Sequence, residues 1–147
     1  MGVPIQLPSV RAVARMERGM SKKPAPKTLK NKADRLFSLV VRARGVCERC
    51  GRRPPEVELQ CAHILSRKYI ATRWDEKNAL ALCKGDHHWG HQNPVEWMLW
   101  LEEMFGLDYI KGLREKALQY AGRVSRLDYE EIVAELKRRA EELEVAA

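Results

Sequence analysis

Every cysteine and every histidine of this 147-residue chain falls between Cys47 and His91. In order, the stretch offers Cys47-Glu48-Arg49-Cys50, then Gln60-Cys61-Ala62-His63, then Asn78, and finally Cys83 to His91 with Asp86, His87 and His88 between them. Four thiols and four imidazoles gathered into one third of a chain constrain the fold more than any other feature. Crowded soft and borderline ligands usually hold metal. The Cys47/Cys50 pair with Gly51 behind it predicts a zinc-knuckle turn, in which the glycine lets the backbone swing around an ion.

A disulfide framework is the competing use of cysteine. No apolar run is long enough to span a bilayer, and residues 1–20 lack a continuous apolar segment of the secretory kind. The expectation is a cytoplasmic chain, free of the membrane, with reduced thiols. Charge then narrows the partner. Residues 1–53 hold 14 Lys/Arg against 3 Asp/Glu, a balance of +11, whereas residues 54–147 hold 13 against 17, a balance of −4. A basic front half on a mildly acidic back half points to a polyanion, most often nucleic acid. A solubility tail is the plainer alternative.

Residues 1–27 combine Pro4, Pro8, Pro24 and Pro26 with six basic side chains, Lys22 and Lys23 among them. They read as a basic flexible arm that orders on a phosphate backbone. From Thr28 to Arg44 the period changes: Leu29, Ala33, Leu36, Phe37, Val40 and Val41 recur at helical spacing, and Gly45 can end the helix. Val57, Leu59 and Cys61 alternate with polar or small neighbours as in a strand, which places Cys61 beside Val57 and Leu59 as a buried free thiol. A second short strand is expected over Ala79–Leu82, ending at Cys83, with a basic connection from Ser66 to Lys77. Three helices follow Asn93-Pro94. Asn93 is the expected N-cap of the first, with Trp97, Leu99, Trp100, Leu101 and Met104 as its packing face. Asp108 is the expected cap of the second, and Asp128 with Glu131 the start of the third, which serves either its own core or a homodimer.

Cysteine pair, strand, histidine, strand with Asn78, cysteine, histidine and helix, in that order, resemble the HNH endonucleases with a ββα-metal core. Within them the likeness is to small phage-type proteins, including the NinG-type recombination nucleases. Gln60 to Arg67, Thr72 to Asp75, Asn78, and Cys83 to Pro94 carry it. The resemblance implies an α+β, mostly helical fold: one nuclease domain over 28–147, with a ββα-metal core at 46–105 and C-terminal helices at 107–147.

It also implies roles. His63 matches the general base, which activates water as a neutral imidazole. Asn78 matches the middle residue of the motif, either holding the loop that aims the base or ligating metal. His87 and His91 would bind a catalytic divalent ion (Mg, Mn, Ni or Zn), and Arg67 and Arg73 would clamp phosphates. Two departures leave alternatives open. Many relatives have a ligand just before the base, where this chain has Ala62, so His63 is either base or ligand. Asp86 stands where a fourth zinc cysteine is expected, so a structural zinc takes Cys47, Cys50 and Cys83 with Asp86, His88 or Cys61. The implied activity is metal-dependent hydrolysis of duplex or branched DNA, by a monomer or homodimer, in phage recombination, packaging or processing. A catalytically silent zinc-binding DNA module is the alternative, and a zinc-stabilised protein-interaction domain a third.

Overall fold

The computed structural model describes residues 23–120 and 122–144. Lys22 and the rest of the basic stretch 1–22 lie outside the described residues; Lys23 is exposed. Helix α1 (Pro26–Arg42) takes in the last two residues of the segment read as an arm, with proline in its opening turn. Proline's fixed φ suits that position, and its missing N–H is not needed there. The face that the periodicity picks out is the one that α1 buries, from Leu29 to Val41. The helix stops two residues before Arg44, and Gly45, at φ +76°, turns the chain toward Cys47.

Strands β1 (Leu59–His63) and β2 (Ala79–Cys83) pair antiparallel, Leu59 opposite Cys83 and His63 opposite Ala79. Every residue of β2 is buried because both faces of the sheet are covered. Ala79 and Ala81 lie under α1 in one cluster, while Leu80 and Leu82 enter a second cluster with Leu101, Ile110 and Leu113. Cys61 departs from the expected face. Val57 and Leu59 pack in the second cluster, whereas Cys61 packs against the first, opposite Ala81. Burial pushes its thiol up to about 12.

The outer edge of β2 is closed by the turn that carries the first two cysteines. Glu48 N donates to Ala81 O at 2.8 Å, and Ala81 N donates to Glu48 Oε2 at 2.7 Å. Arg44 adds donations to Ala79 O and Glu76 O, each at 2.8 Å. A bare strand edge would leave these groups free to pair with another chain.

Between the strands lie a single-turn helix, α2 (Ile70–Arg73), and a 3-10 turn, Glu76–Asn78, within the stretch read only as a connection. Asn78 is wholly buried and holds this loop. Its Oδ1 accepts from Leu65 N at 2.8 Å, and its Nδ2 donates to Thr72 O at 3.0 Å and Leu65 O at 3.2 Å. The side chain therefore acts as a backbone clasp for the loop.

Helices α3 (Lys84–Gln92), α4 (Pro94–Phe105), α5 (Leu107–Leu118) and α6 (Arg126–Glu142) complete an α+β, mostly helical chain. None among the described residues is long and apolar enough to cross a membrane. Several expected details are corrected. Asn93 stands at the N-cap of α4 as expected, but its side chain serves α3: its N and its Nδ2 both donate to Trp89 O at 2.9 Å. Leu99 and Met104 are exposed, so the packing face of α4 is Leu101 with the half-buried Trp97 and Trp100. Gly106, not Asp108, stands at the N-cap of α5. The last helix is started by Ser125, whose hydroxyl accepts from Asp128 N while Asp128 returns the bond in a capping box. Tyr129, Val133 and Leu136 of α6 pack on α1.

Because the buried Asn78 side chain satisfies three backbone groups, Asn78→Ala is expected to cost roughly 2–4 kcal/mol of stability. A lower urea midpoint at unchanged slope checks this; an unchanged midpoint would mean that the loop does not depend on the clasp.

Candidate metal centre and active site

Three elements converge on one cluster: the turn after α1, the end of β2 and the first turn of α3. Cys47 N donates to Arg52 O and Gly51 N to Cys47 O, both at 2.9 Å, and Gly51 takes φ +78°. This folds Cys50 back so that its N–H points at Cys47 Sγ, 3.5 Å away. Cys83 caps α3 with its sulfur, which accepts from Asp86 N at 3.4 Å. The helical spacing then lays Asp86 over the thiols, its Oδ2 3.2 Å from Cys47 Sγ and 3.4 Å from Cys83 Sγ. Cys50 and Cys83 sulfurs lie 3.9 Å apart, and all four ligand atoms fall within 4.8 Å of one another.

Zinc–sulfur bonds of about 2.3 Å in a tetrahedron separate sulfurs by roughly 3.8 Å. Cys47, Cys50, Cys83 and Asp86 therefore fit a metal such as zinc. All four cysteines of the chain are free thiols. Of the candidate fourth ligands, His88 is exposed on α3 and Cys61 packs under α1, which leaves Asp86. Burial raises the Cys83 thiol to about 11 and pushes the Asp86 carboxyl up as well. For Asp86, hydrogen bonds from Cys47, Cys50, Arg49 and Cys83 outweigh that burial and hold it below its ordinary value.

On the other side of the hairpin a cleft of about 960 Å³ runs between α1 and α3, floored by β1. His63, His87 and His91 all line it. His63 Nε2 lies 2.8 Å from the carbonyl oxygen of Arg73. A carbonyl only accepts, so Nε2 carries the proton and Nδ1 is left with a free lone pair. The ring stacks at a tilt on Phe37, centroids 5.5 Å apart. Burial lowers its basicity, the Arg73 carbonyl partly restores it, and the Arg67 and Arg73 charges lower it further.

His87 is oriented from β1: its Nδ1 donates to Gln60 Oε1 at 2.8 Å. That bond leaves Nε2 as the open nitrogen, the usual arrangement behind a metal-ligating imidazole. His91, one turn along α3, brings its own Nε2 to 3.1 Å from that of His87. Two nitrogens on one ion at about 2.1 Å stand roughly 3.0–3.4 Å apart. Burial and the charges of His91 and His63 hold His87 below its ordinary basicity. His63 does not join this pair: among the described residues, the Cys/Asp cluster is the one group of three or more ligand-type side chains this close together. Ala62 is buried in the second core, so the position before His63 supplies no ligand either. At the corner between α3 and α4 only glycine fits, since a Cβ on Gly90 would meet Trp97 Cε3 at 2.8 Å.

The two arginines expected on phosphate separate. Arg73 is committed inside the protein, through Nε and Nη2 to the Asp34 carboxylate at 2.9 and 2.6 Å and through Nη1 to Arg67 O at 2.9 Å. Its task is to hold the loop whose carbonyl holds His63. Arg67 keeps 59% of its side chain exposed at the mouth of the cleft, 3.9 Å from Asp34. Asp34 also accepts from Trp74 Nε1 at 2.9 Å and so ties α1 to the loop. It was not singled out in the sequence, although it is one of 3 acidic residues among the first 53. Nor does any local pattern give Gln60 a role, since its partner His87 lies 27 positions later. Comparison of the chain with protein-family models, curated proteins and solved structures finds no match.

Two outcomes are expected. Purified protein should carry about one tightly held zinc per chain by elemental analysis, and Cys83→Ala should lose both the metal and much of the thermal stability. The half-buried His63 makes a second prediction. In the unfolded chain it takes up a proton near the ordinary value of 6.5, and in the folded chain only at lower pH. Its contribution is therefore complete above pH 6.5 and is lost as pH falls through the lowered folded value. The denaturation midpoint of the wild type should thus fall more steeply from pH 7.5 to about 5 than that of His63→Gln; parallel curves would contradict it.

Proposed function

We propose that this chain is a metal-dependent DNA endonuclease of the HNH type, hydrolysing phosphodiester bonds from the cleft between α1 and α3. The observation that carries the reading is the pairing of two differently prepared imidazole groups across one cleft. His63 presents an unprotonated Nδ1 with its other nitrogen fixed on Arg73 O. His87 and His91 present converging Nε2 atoms 3.1 Å apart.

In this reading His63 removes a proton from the attacking water, and its lowered basicity keeps it neutral at physiological pH. Asn78 and Arg73 hold the loop that fixes its orientation. His87 and His91 would hold a divalent cation, with Gln60 setting the His87 tautomer. When bound, such an ion supplies charge stabilisation to the scissile phosphate and its leaving oxygen. Arg67 meets an adjacent phosphate, and Lys23 with the basic side chains of α1 extends the electrostatic footprint on the backbone. The residues therefore favour recognition by backbone and shape over a long base-read site. A role in phage recombination, packaging or processing rests on the resemblance alone.

Supercoiled plasmid incubated with the protein and Mg, Mn, Ni or Zn should be nicked or linearised, and EDTA should stop this. His63→Ala and His87→Ala should each lower the rate by roughly 10²–10⁴-fold while leaving DNA binding in place. Activity should rise with pH as His63 loses its proton and level off, with the half-point below 6.5. A protein that retards the plasmid but cuts under no metal would instead be a silent zinc-binding DNA module, with Ala62 and Asp86 as marks of that loss.

A further inference from the structure

The cluster's fourth ligand is unusual for a site otherwise built of thiolates, and the structure around it explains how it can serve. Asp86 has two carboxylate oxygens with different surroundings. Oδ2 faces Cys47 and Cys83 at 3.2 and 3.4 Å. Oδ1 faces away and accepts from Arg49 Nη1 at 2.6 Å. Arg49 sits within the Cys47–Cys50 turn itself, so ligand turn and carboxylate partner are parts of one loop. Its guanidinium lies over the Trp89 ring, 3.7 Å from the centroid, with Trp100 at 6.0 Å. The arginine is thereby fixed from below by an aromatic plane on α3 and from the side by the carboxylate. Only 12% of the Asp86 side chain and 30% of that of Arg49 are exposed, so solvent screens the pair weakly.

We infer that Arg49 is a positioning residue for the metal centre: it occupies Oδ1 of Asp86 and so presents Oδ2 alone as the fourth, single-oxygen ligand. A free carboxylate beside three thiolates could rotate, bind through both oxygens or swing out to water, since like charges repel it from the cluster. Arg49 removes those alternatives and offsets one negative charge. Groups that orient ligands from behind typically change metal affinity 10–100-fold. The inference does not depend on the chemistry of the cleft.

A double-mutant cycle tests it, with zinc alone as the probe. Zinc affinity is measured by competition with a chromophoric chelator for wild type, R49M, D86C and R49M/D86C, and cobalt(II) absorption counts the coordinated sulfurs. R49M should weaken zinc binding roughly 10–100-fold while cobalt still reports three thiolates. D86C should report four. In that background R49M should cost threefold or less, because a thiolate has no second oxygen to restrain. Unchanged affinity in R49M would overturn the inference. So would an equal loss in both backgrounds, which would make Arg49 a packing residue for Trp89. If R49M fails to fold, R49K carries the same test: a point charge cannot both lie flat on Trp89 and hold Oδ1. Its loss of affinity should again vanish with D86C, and an equal loss there would overturn the inference.

Discussion

The arrangement depends on the contact between Asp86 and the thiols, because it ties the turn after α1 to the junction of β2 and α3, beside the Glu48–Ala81 bonds that close the strand edge. Cys47 and Cys50 come from a tight turn, Cys83 from a strand end and Asp86 from the first turn of a helix. Without an ion, three thiols and a carboxylate packed within 4.8 Å of one another would be a poor use of buried space. With one, the same groups fix where α3 begins and in which direction it leaves the sheet. His87 and His91 lie further along that helix, so their position follows from the cluster. Asp86 thus replaces a thiolate at little geometric cost, provided that its second oxygen is held.

The hairpin transmits this order to the other side. Its small face, Ala79 and Ala81, lets α1 lie close, and its leucine face, Leu80 and Leu82, builds the second core under α4 and α5. Ala79 and Ala81 on one side and the closed outer edge of β2 leave β1 as the strand that borders the cleft. From β1 come Gln60, which orients His87, and His63, the base of the proposed reaction. A single five-residue strand therefore aims both halves of the site. The loop behind it is tied down by Asn78 from within and by the Asp34–Arg73 pair from α1.

Much of this was legible in the residues. The apolar period of α1 named its buried face, ALALC named β2, and the ligand spacings named the four members of the cluster among their alternatives. Other features were not legible, for physical reasons. Periodicity in a five-residue strand covered on both faces cannot say which core each side chain joins, and so Cys61 was placed with Leu59. The cap at Asn93 is ambiguous because α3 ends where α4 begins, and one side chain can serve either terminus. Arg73 looked like a phosphate contact because its partner Asp34 lies 39 positions earlier, and no local pattern announces a long-range ion pair. The exposure of Leu99 and Met104 has the same origin: α4 is apolar on more sides than one, and only the packing chooses the buried side.

The proposed function requires one helix, α3, to serve two metal sites of different character, a fixed clamp at its start and an exchangeable pair of imidazoles further on. Titration of EDTA-washed, zinc-retaining protein with manganese, followed by the loss of the free Mn(II) paramagnetic signal, tests it directly. The account predicts about one manganese bound per chain with the zinc undisturbed, and none in a His87→Ala/His91→Ala variant that still retains its zinc. Manganese bound equally by that variant, or bound only as zinc is displaced, would contradict it.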